Sequence, residues 1–400
     1  MFKQICLIVA SSLYDVKRTW SREFAKALNR KGFVTSLIDV GDGPLQKAHL
    51  DQVMDLRPEL TLSFSPLLPI EGGVLLCDLI KVPHLTLLSD PAIYSLYLAK
   101  SPYSLVGCVD YFDCELFFNA KIEDRVFFFP HAIGSEQIME PAAEKIYDAV
   151  FIGSSYDAEA VRESWHKNYP PEVVTIIERA IAITLSDDHT AFTQAFVEAW
   201  RDSELDPTGQ DFEGLCRQVD MYIRAVGRLE LLKAITDVEV HVFGGRDEME
   251  SGPHRDWNDL LDGQRNIKVH PAISRDAAWQ VIRQSKICLN SSPWFKHGTH
   301  ERIILGLAGR SLVFSDANRF IEAHFGEERG VVPYVLGGWD HLNERLHYYL
   351  ERDEERNAVV EMGMKTVGLE HTWDVRAEEF SQRIPPIWNR IASENFIRTF

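Results

Sequence analysis

Short apolar runs separated by helical patterns are the feature that most constrains this chain. The run at Gln4–Ala10 leads into a polar loop, Ser11–Lys17, then an amphipathic pattern over Thr19–Arg30 that closes at Lys31-Gly32. Phe33–Val40 is the next run, and Leu60–Phe64, His84–Leu88, Leu105–Val109 and Val126–Phe129 follow. A strand with one wet face alternates apolar and polar residues, whereas an unbroken run needs cover on both faces. Runs of this kind between helices predict a parallel sheet with helices on either side.

The pattern then starts again. Tyr147–Ser155 reads as a buried strand entering a Gly/Ser turn, and Val238–Phe243 ends at Gly244-Gly245. Ile267–His270, Ile287–Asn290, Ser311–Ser315 and Val331–Leu336 complete a second sheet. The expected fold is α/β, with two Rossmann-like doubly wound domains over 1–145 and 146–375. A helical tail, 376–400, follows, with a return to the first domain as one option. Between the first two strands of the second sheet lies far more chain than a crossover requires. We read about 157–225 as a helical insertion, broken at Asp202–Asp211. Its apolar stripes, Val173, Ile176, Ile177 and Ala180, then Phe192, Phe196 and Trp200, must be buried on the sheet or on a partner. The expectation is acceptor binding or homo-oligomerisation, with nucleotide binding surviving the loss of the insertion.

Composition excludes several classes. A net charge of -18 over 400 residues argues against tracking a nucleic-acid backbone, while leaving room for one local cationic pocket. The cysteines, Cys6, Cys77, Cys108, Cys114, Cys216 and Cys288, show no metal-ligand spacing. They read as buried thiols of a reducing, cytoplasmic protein. The start of the chain reads as a first strand rather than a signal peptide, and no apolar run approaches the ~20 residues of a membrane span. The acidic run Asp247-Glu248-Met249-Glu250 reads as a solvated loop, so no metal site and no cofactor are expected.

Ligands of open parallel sheets bind beyond the carboxyl ends of the strands. After Ile287–Asn290 comes Ser291-Ser292-Pro293-Trp294-Phe295-Lys296-His297-Gly298-Thr299-His300-Glu301-Arg302, with a helix from about Thr299 to Leu307. A glycine before a helix N-terminus offers free N–H groups to a diphosphate, and the basic side chains add donors.

Gly298–Arg302, with the apolar helix to Ala308-Gly309 and the strand Ser311–Asp316, resembles the donor-site segment of family-1-type glycosyltransferases, the spore-maturation-protein subgroup above all. Trp339–Glu351, the stretch from Glu354-Glu355-Arg356 to Gly363, His371-Thr372-Trp373-Asp374-Val375-Arg376-Ala377 and the strand Asp148–Ser155 are similar to other segments of that subgroup. The resemblance implies the GT-B arrangement of two Rossmann-like domains and a glycosyltransferase taking sugar from a nucleotide-diphosphate sugar, most often a UDP-sugar, without a metal. It assigns Gly298, Thr299 and His300 to the diphosphate, Arg302 and Lys296 to leaving-group charge, and Gly153 and Ser154 to the opposite border of the phosphates. The family's ribose-binding glutamate falls on Ile304 or Leu305 here, so Glu301, one turn earlier, is the candidate for that contact.

The acceptor, whether glycan, protein or small molecule, is left open. An inverting reaction needs a base on the acceptor side, where Asp15 (with Tyr14 and Arg18 nearby), Asp90-Pro91 and Pro130-His131 follow strands. Two alternatives share the plan: a non-catalytic nucleotide-sugar-binding or scaffold protein, and a nucleotide-sugar epimerase.

Overall fold

A computed structural model describes residues 2–41, 43–70, 73–244 and 255–396. Gly245 and the acidic run 247–250 lie outside the described residues. The elements in chain order are β1 Gln4–Ala10, α1 Val16–Arg30, β2 Val34–Gly41, α2 Lys47–Leu56, β3 Leu60–Phe64, α3 Leu76–Ile80, β4 His84–Leu87, β5 Ser104–Cys108, α4 Tyr111–Asn119, β6 Val126–Phe128 and α5 Ser135–Ile138. Then come β7 Tyr147–Ile152, α6 Ala158–Asn168, α7 Pro171–Ser186, α8 Phe192–Asp202, α9 Phe212–Ala234, β8 Val240–Phe243, α10 Trp257–Leu260, β9 Ile267–His270 and α11 Arg275–Arg283. The last are β10 Ser285–Leu289, α12 Glu301–Ala308, β11 Leu312–Asp316, α13 Arg319–His324, β12 Val331–Tyr334, α14 Trp339–Glu351, α15 Asp353–Glu370 and α16 Trp373–Phe396.

The chain divides into two compact units, 1–137 with 369–400, and 138–368. Each holds a six-stranded parallel sheet, ordered β2-β1-β3-β4-β5-β6 in the first unit and β12-β11-β10-β7-β8-β9 in the second. Every apolar run read as a strand is one, with ends shifted by about two residues at most.

In the first unit, β1 shows why an unbroken apolar run is needed. Ile5 and Leu7 enter one core with Trp20, Phe24 and Leu28 of α1, while Cys6 and Ile8 enter another with Ile38, Val40 and Val53. Helix α16 covers the α1 face, bringing Trp373, Ala377, Phe380 and Ile384 into the first core. Its Trp373 ring lies 5.5 Å from Phe24 and 5.4 Å from Phe64, and each such pair adds roughly 0.5–1.5 kcal/mol beyond burial. A one-bridge ladder fixes its start: Ile133 N–H donates to the His371 carbonyl at 3.0 Å, and Trp373 N–H to the Ile133 carbonyl at 2.9 Å. Arg376 donates to the Pro130 carbonyl at 3.0 Å. The segment His371–Ala377 therefore acts within this unit as a structural clasp.

In the second unit, β7 connects to β8 through four helices, α6 to α9. All six cysteines are free and buried. Among the described residues no helix is long and apolar enough to cross a membrane.

One buried polar group gives the first unit a pH signature. His84 on β4 is 5% exposed; its Nδ1 lies 2.8 Å from the Thr61 hydroxyl and its Nε2 3.0 Å from that of Ser63. Burial pushes its pKa down from 6.5 to about 4. Between those values the unfolded chain carries a proton that the folded chain refuses, so stability falls as pH drops from 6.5 towards 4 and does not change with this group above 6.5. Urea denaturation should show wild type losing about 2 kcal/mol relative to His84→Gln between neutral pH and mild acid. Parallel pH dependences in the two proteins would contradict the assignment.

Candidate functional site

The strand orders locate the mouths. In the second unit the order reverses between β7 and β10, and in the first between β1 and β3.

At the second-unit mouth, Gly153-Ser154 follows β7, and Asn290 opens the loop after β10. That loop is almost wholly buried from Ser291 to Thr299. Buried backbone needs partners, and Asn318 supplies them, its amide donating to the carbonyls of Phe295 at 3.0 Å and Gly298 at 3.1 Å. Asn290 is the hub. Its side-chain oxygen accepts from Arg302, and its amide donates to the hydroxyls of Ser292 at 3.0 Å and Ser315 at 2.8 Å. The Tyr334 hydroxyl donates to its carbonyl at 2.9 Å.

Arg302 is 6% exposed, and its guanidinium lies 5.3 Å from the Phe151 ring centre. A Cβ on Gly153 would stand 3.3 Å from Arg302 Nη2, so a side chain there would crowd the guanidinium. A second arginine, which sequence reasoning missed, comes from the helical crossover. Arg228 of α9 is 5% exposed and donates to the Ser154 carbonyl at 2.8 Å, while its Nε is buried without a hydrogen-bond partner among the described residues. It lies 5.0 Å from the Tyr156 ring and 5.7 Å from the Trp294 ring, with Arg224 on Trp294 at 4.1 Å. Among the described residues neither Arg228 nor Arg302 has a carboxylate partner. Burial first, then Arg228, pushes the Arg302 pKa down to about 10. Two desolvated like charges held by neutral oxygens make an anion-receptive site.

The other expected donor-side residues take different places. The His300 ring caps α12 by accepting from the Arg302 N–H at 3.1 Å, and the Ile303 N–H goes to the His300 carbonyl. The first N–H groups inside the helix, those of Arg302 and Ile303, are thus satisfied by their own chain. Glu301 accepts from Arg275 at 3.2 Å in a buried pair. Ile304 and Leu305 are core residues. Thr299 is fully buried, its hydroxyl 3.5 Å from the His300 carbonyl. Lys296 is also buried, and its ammonium donates to the carbonyls of Thr184 and Asp187, at 2.8 Å each. It ties the β10 loop to the end of α7, so the helical crossover is part of this mouth and not a separable appendage. Asp316, at the end of β11, accepts the Ser292 N–H at 2.6 Å, and burial raises its pKa to about 6.

At the first-unit mouth, Tyr14, Asp15 and Ser65 hold left-handed backbone, φ 59°, 61° and 68°, a costly state for residues with side chains. The Asp15 carboxylate is engaged by Arg18, which also reaches Asp39 at 2.6 Å. The Ser65 and Ser89 hydroxyls lie 2.8 Å apart, and Ser89 donates to Asp90 at 3.1 Å. His131 is buried with its ring centre 5.0 Å from that of Trp20. His131 and Asp15 thus belong to the first unit, and Arg302 to the second.

Residues 224–382 match the family described as "Glycosyl transferase-like", a match that includes Arg228, the β10 loop, α12 and Asp316. No curated protein matches the sequence. Among solved structures, the chain is similar to a glycosyltransferase from Rickettsia africae, with 11% identity over 98% of this chain and 99% of that one, TM-score 0.56. It is similar to sucrose-phosphate synthase of Thermosynechococcus elongatus, with 10% identity over 97% and 100%, TM-score 0.61. It is also similar to the T4 phage enzyme BGT, solved in complex with its UDP-glucose substrate, with 11% identity over 96% and 99%, TM-score 0.54. The two parallel six-stranded sheets with their helices are the GT-B fold, and residues 224–382 are glycosyltransferase-like within it.

The Lys296 tether has a measurable consequence. Lys296→Met should cost about 1.5–3 kcal/mol, the range of a charged hydrogen bond, and should speed amide exchange around Leu185–Thr190. Unchanged melting and exchange would show the tether to be incidental.

Proposed function

We propose that this chain is a glycosyltransferase of the family-1 type, using a nucleotide-diphosphate sugar, with a UDP-sugar favoured. The observation that carries the reading is the pair of buried arginines, Arg228 and Arg302, bonded to neutral oxygens at the β7/β10 mouth of a glycosyltransferase-like region. In the reaction, the acceptor hydroxyl oxygen bonds to the anomeric carbon. The bond from that carbon to the diphosphate oxygen breaks, the diphosphate departs with the electron pair, and the acceptor proton passes to a base of the first unit or to the departing diphosphate. Charge grows on the departing diphosphate, and preorganised guanidinium groups in a dry site stabilise it. Gly153 and Ser154 border the phosphates, with His300, Gly298 and Thr299 shaping the opposite wall.

Among solved neighbours, T4 phage BGT holds UDP-glucose and an alpha-glucosyltransferase holds UDP, which supports the choice of a UDP-sugar. The acceptor belongs to the first unit in this reading. Asp15, Asp90 and His131 are its candidate bases, Asp15 already carrying Arg18 and His131 buried. The segments 298–302 and 371–377 support the spore-maturation subgroup, and the buried free thiols a reducing, cytoplasmic setting.

Calorimetry tests the site. Arg228→Ala and Arg302→Ala, each checked for folding by its thermal melt, should weaken UDP binding about ten-fold or more. Unchanged affinity in both variants would remove the site. Because the arginines supply the charge, turnover should persist in EDTA; loss of turnover restored by Mn²⁺ would refute metal independence.

A further inference from the structure

The strand order of the first unit reverses between β1 and β3, and the chain leaves both strands in left-handed backbone, at Tyr14 and Asp15 after β1 and at Ser65 directly after β3. Open sheets bind ligands at such reversals, and left-handed backbone outside glycine persists only where surrounding contacts impose it. At Ser65 those contacts come from both sides.

Behind it, the Ser65 N–H donates to the Leu87 carbonyl at 2.7 Å, and the Ser65 carbonyl accepts the Ser63 hydroxyl at 2.8 Å. A hydroxyl has one hydrogen, so Ser63 must accept from its other neighbour, and the His84 Nε2, 3.0 Å away, carries the proton. His84 is therefore neutral and in one tautomer, its Nδ1 receiving the Thr61 hydroxyl at 2.8 Å. Thr61, Ser63 and His84 are all buried. A buried imidazole is costly support for one carbonyl, and a glycine at position 65 would not need it.

In front, the Ser65 hydroxyl lies 2.8 Å from that of Ser89, which donates to Asp90 Oδ2 at 3.1 Å. Ser89 gives its one hydrogen to the carboxylate, so Ser65 donates to Ser89. The hydrogens run one way, from Ser65 through Ser89, and end on an exposed carboxylate. Each link of such a chain strengthens the next. The other candidate bases of this mouth are differently placed: Asp15 carries Arg18, and His131 is buried against Trp20. The charge of Asp90 also reaches Lys17 on α1, where it acts against the lowering of the ammonium pKa by burial.

We infer that Ser65 is a positioning residue for acceptor activation: its left-handed turn aims a hydroxyl at Ser89, and Ser89 fixes Asp90, which takes the acceptor proton. The inference rests on the glycosyltransferase reading above and adds which group of the first unit acts and what orients it. The acceptor O–H bond breaks as its oxygen bonds to the anomeric carbon. The proton passes to the Asp90 carboxylate, and the diphosphate leaves with the electron pair of the broken C–O bond. A base works only when it is within reach and correctly turned, so hydroxyls that set its orientation act on rate and not on donor binding.

The test measures UDP released from UDP-glucose by the full chain, with water, glycerol and methyl glucoside as acceptors, beside calorimetric UDP affinity and thermal melts. Asp90→Asn should lose about 100-fold or more in kcat and keep UDP affinity within about two-fold. Ser65→Ala and Ser65→Gly both remove the hydroxyl, but only glycine relieves the backbone. Ser65→Gly should therefore melt about 2–4 °C above Ser65→Ala and yet be the slower of the two, with kcat about ten-fold or more below wild type. Ser89→Ala should lose about the same factor, and Ser89→Thr, which keeps a hydroxyl, should recover most of it. A merely structural turn would give turnover that follows the melts. Wild-type kcat in Asp90→Asn would overturn the inference. So would a Ser65→Gly as fast as wild type, or a Ser89→Thr no better than Ser89→Ala. Wild type that releases no UDP with any of the acceptors would instead refute the transferase reading, and this inference with it.

Discussion

Two guanidinium groups buried at one sheet mouth, each bonded to a neutral oxygen, are the constraint on which the second unit turns. Stripping an arginine of water is costly, and a like charge beside it adds to the cost. The structure offsets this with neutral acceptors, the Asn290 side chain for Arg302 and the Ser154 carbonyl for Arg228, and with the faces of Phe151, Tyr156 and Trp294. Neutral acceptors hold the charges in place without cancelling them. The field that remains suits a leaving diphosphate, whose charge grows as the glycosidic bond breaks.

That arrangement draws in the rest of the unit. A side chain at Gly153 would press on Phe151 and Arg302, and Gly244 must lack one because its Cβ would fall 2.0 Å from the Gly153 carbonyl oxygen. Gly227, next to Arg228, lets α9 lie on the β10 loop, where a Cβ would meet Ser291 and Pro293 at 2.9 Å. The helical crossover thus supplies Arg228, packs on the loop through Gly227, and receives the Lys296 tether at Thr184 and Asp187. The expectation that nucleotide binding would survive its removal does not suit this packing.

The strands are legible because burial on both faces leaves a largely apolar run, and the mouths follow from strand ends. That rule puts Gly153, Ser154 and Arg302 beside strand ends, where they lie. What escaped was everything decided by a partner distant in sequence. Arg228 looks like any basic residue of a helix, and only its contact with Ser154 marks it. The sequence offers Lys296 to phosphate and Glu301 to ribose, but it does not show the carbonyls that Lys296 bonds or the Arg275 that Glu301 meets. The helix cap that the His300 Nδ1 makes with the Arg302 N–H is likewise invisible in the sequence. Asp316 ended a visible strand, but a lone aspartate there resembles an ordinary cap; its near-complete burial is what sets it apart.

The central claim is that the donor is held at the β7/β10 mouth of the second unit. Hydrogen–deuterium exchange with and without UDP-glucose tests it directly, because bound ligand suppresses local opening. The account predicts slowed exchange at 153–156, 224–228 and 290–302, three segments that meet only in the folded unit. Protection confined to the first unit, or none at saturating ligand, would contradict it.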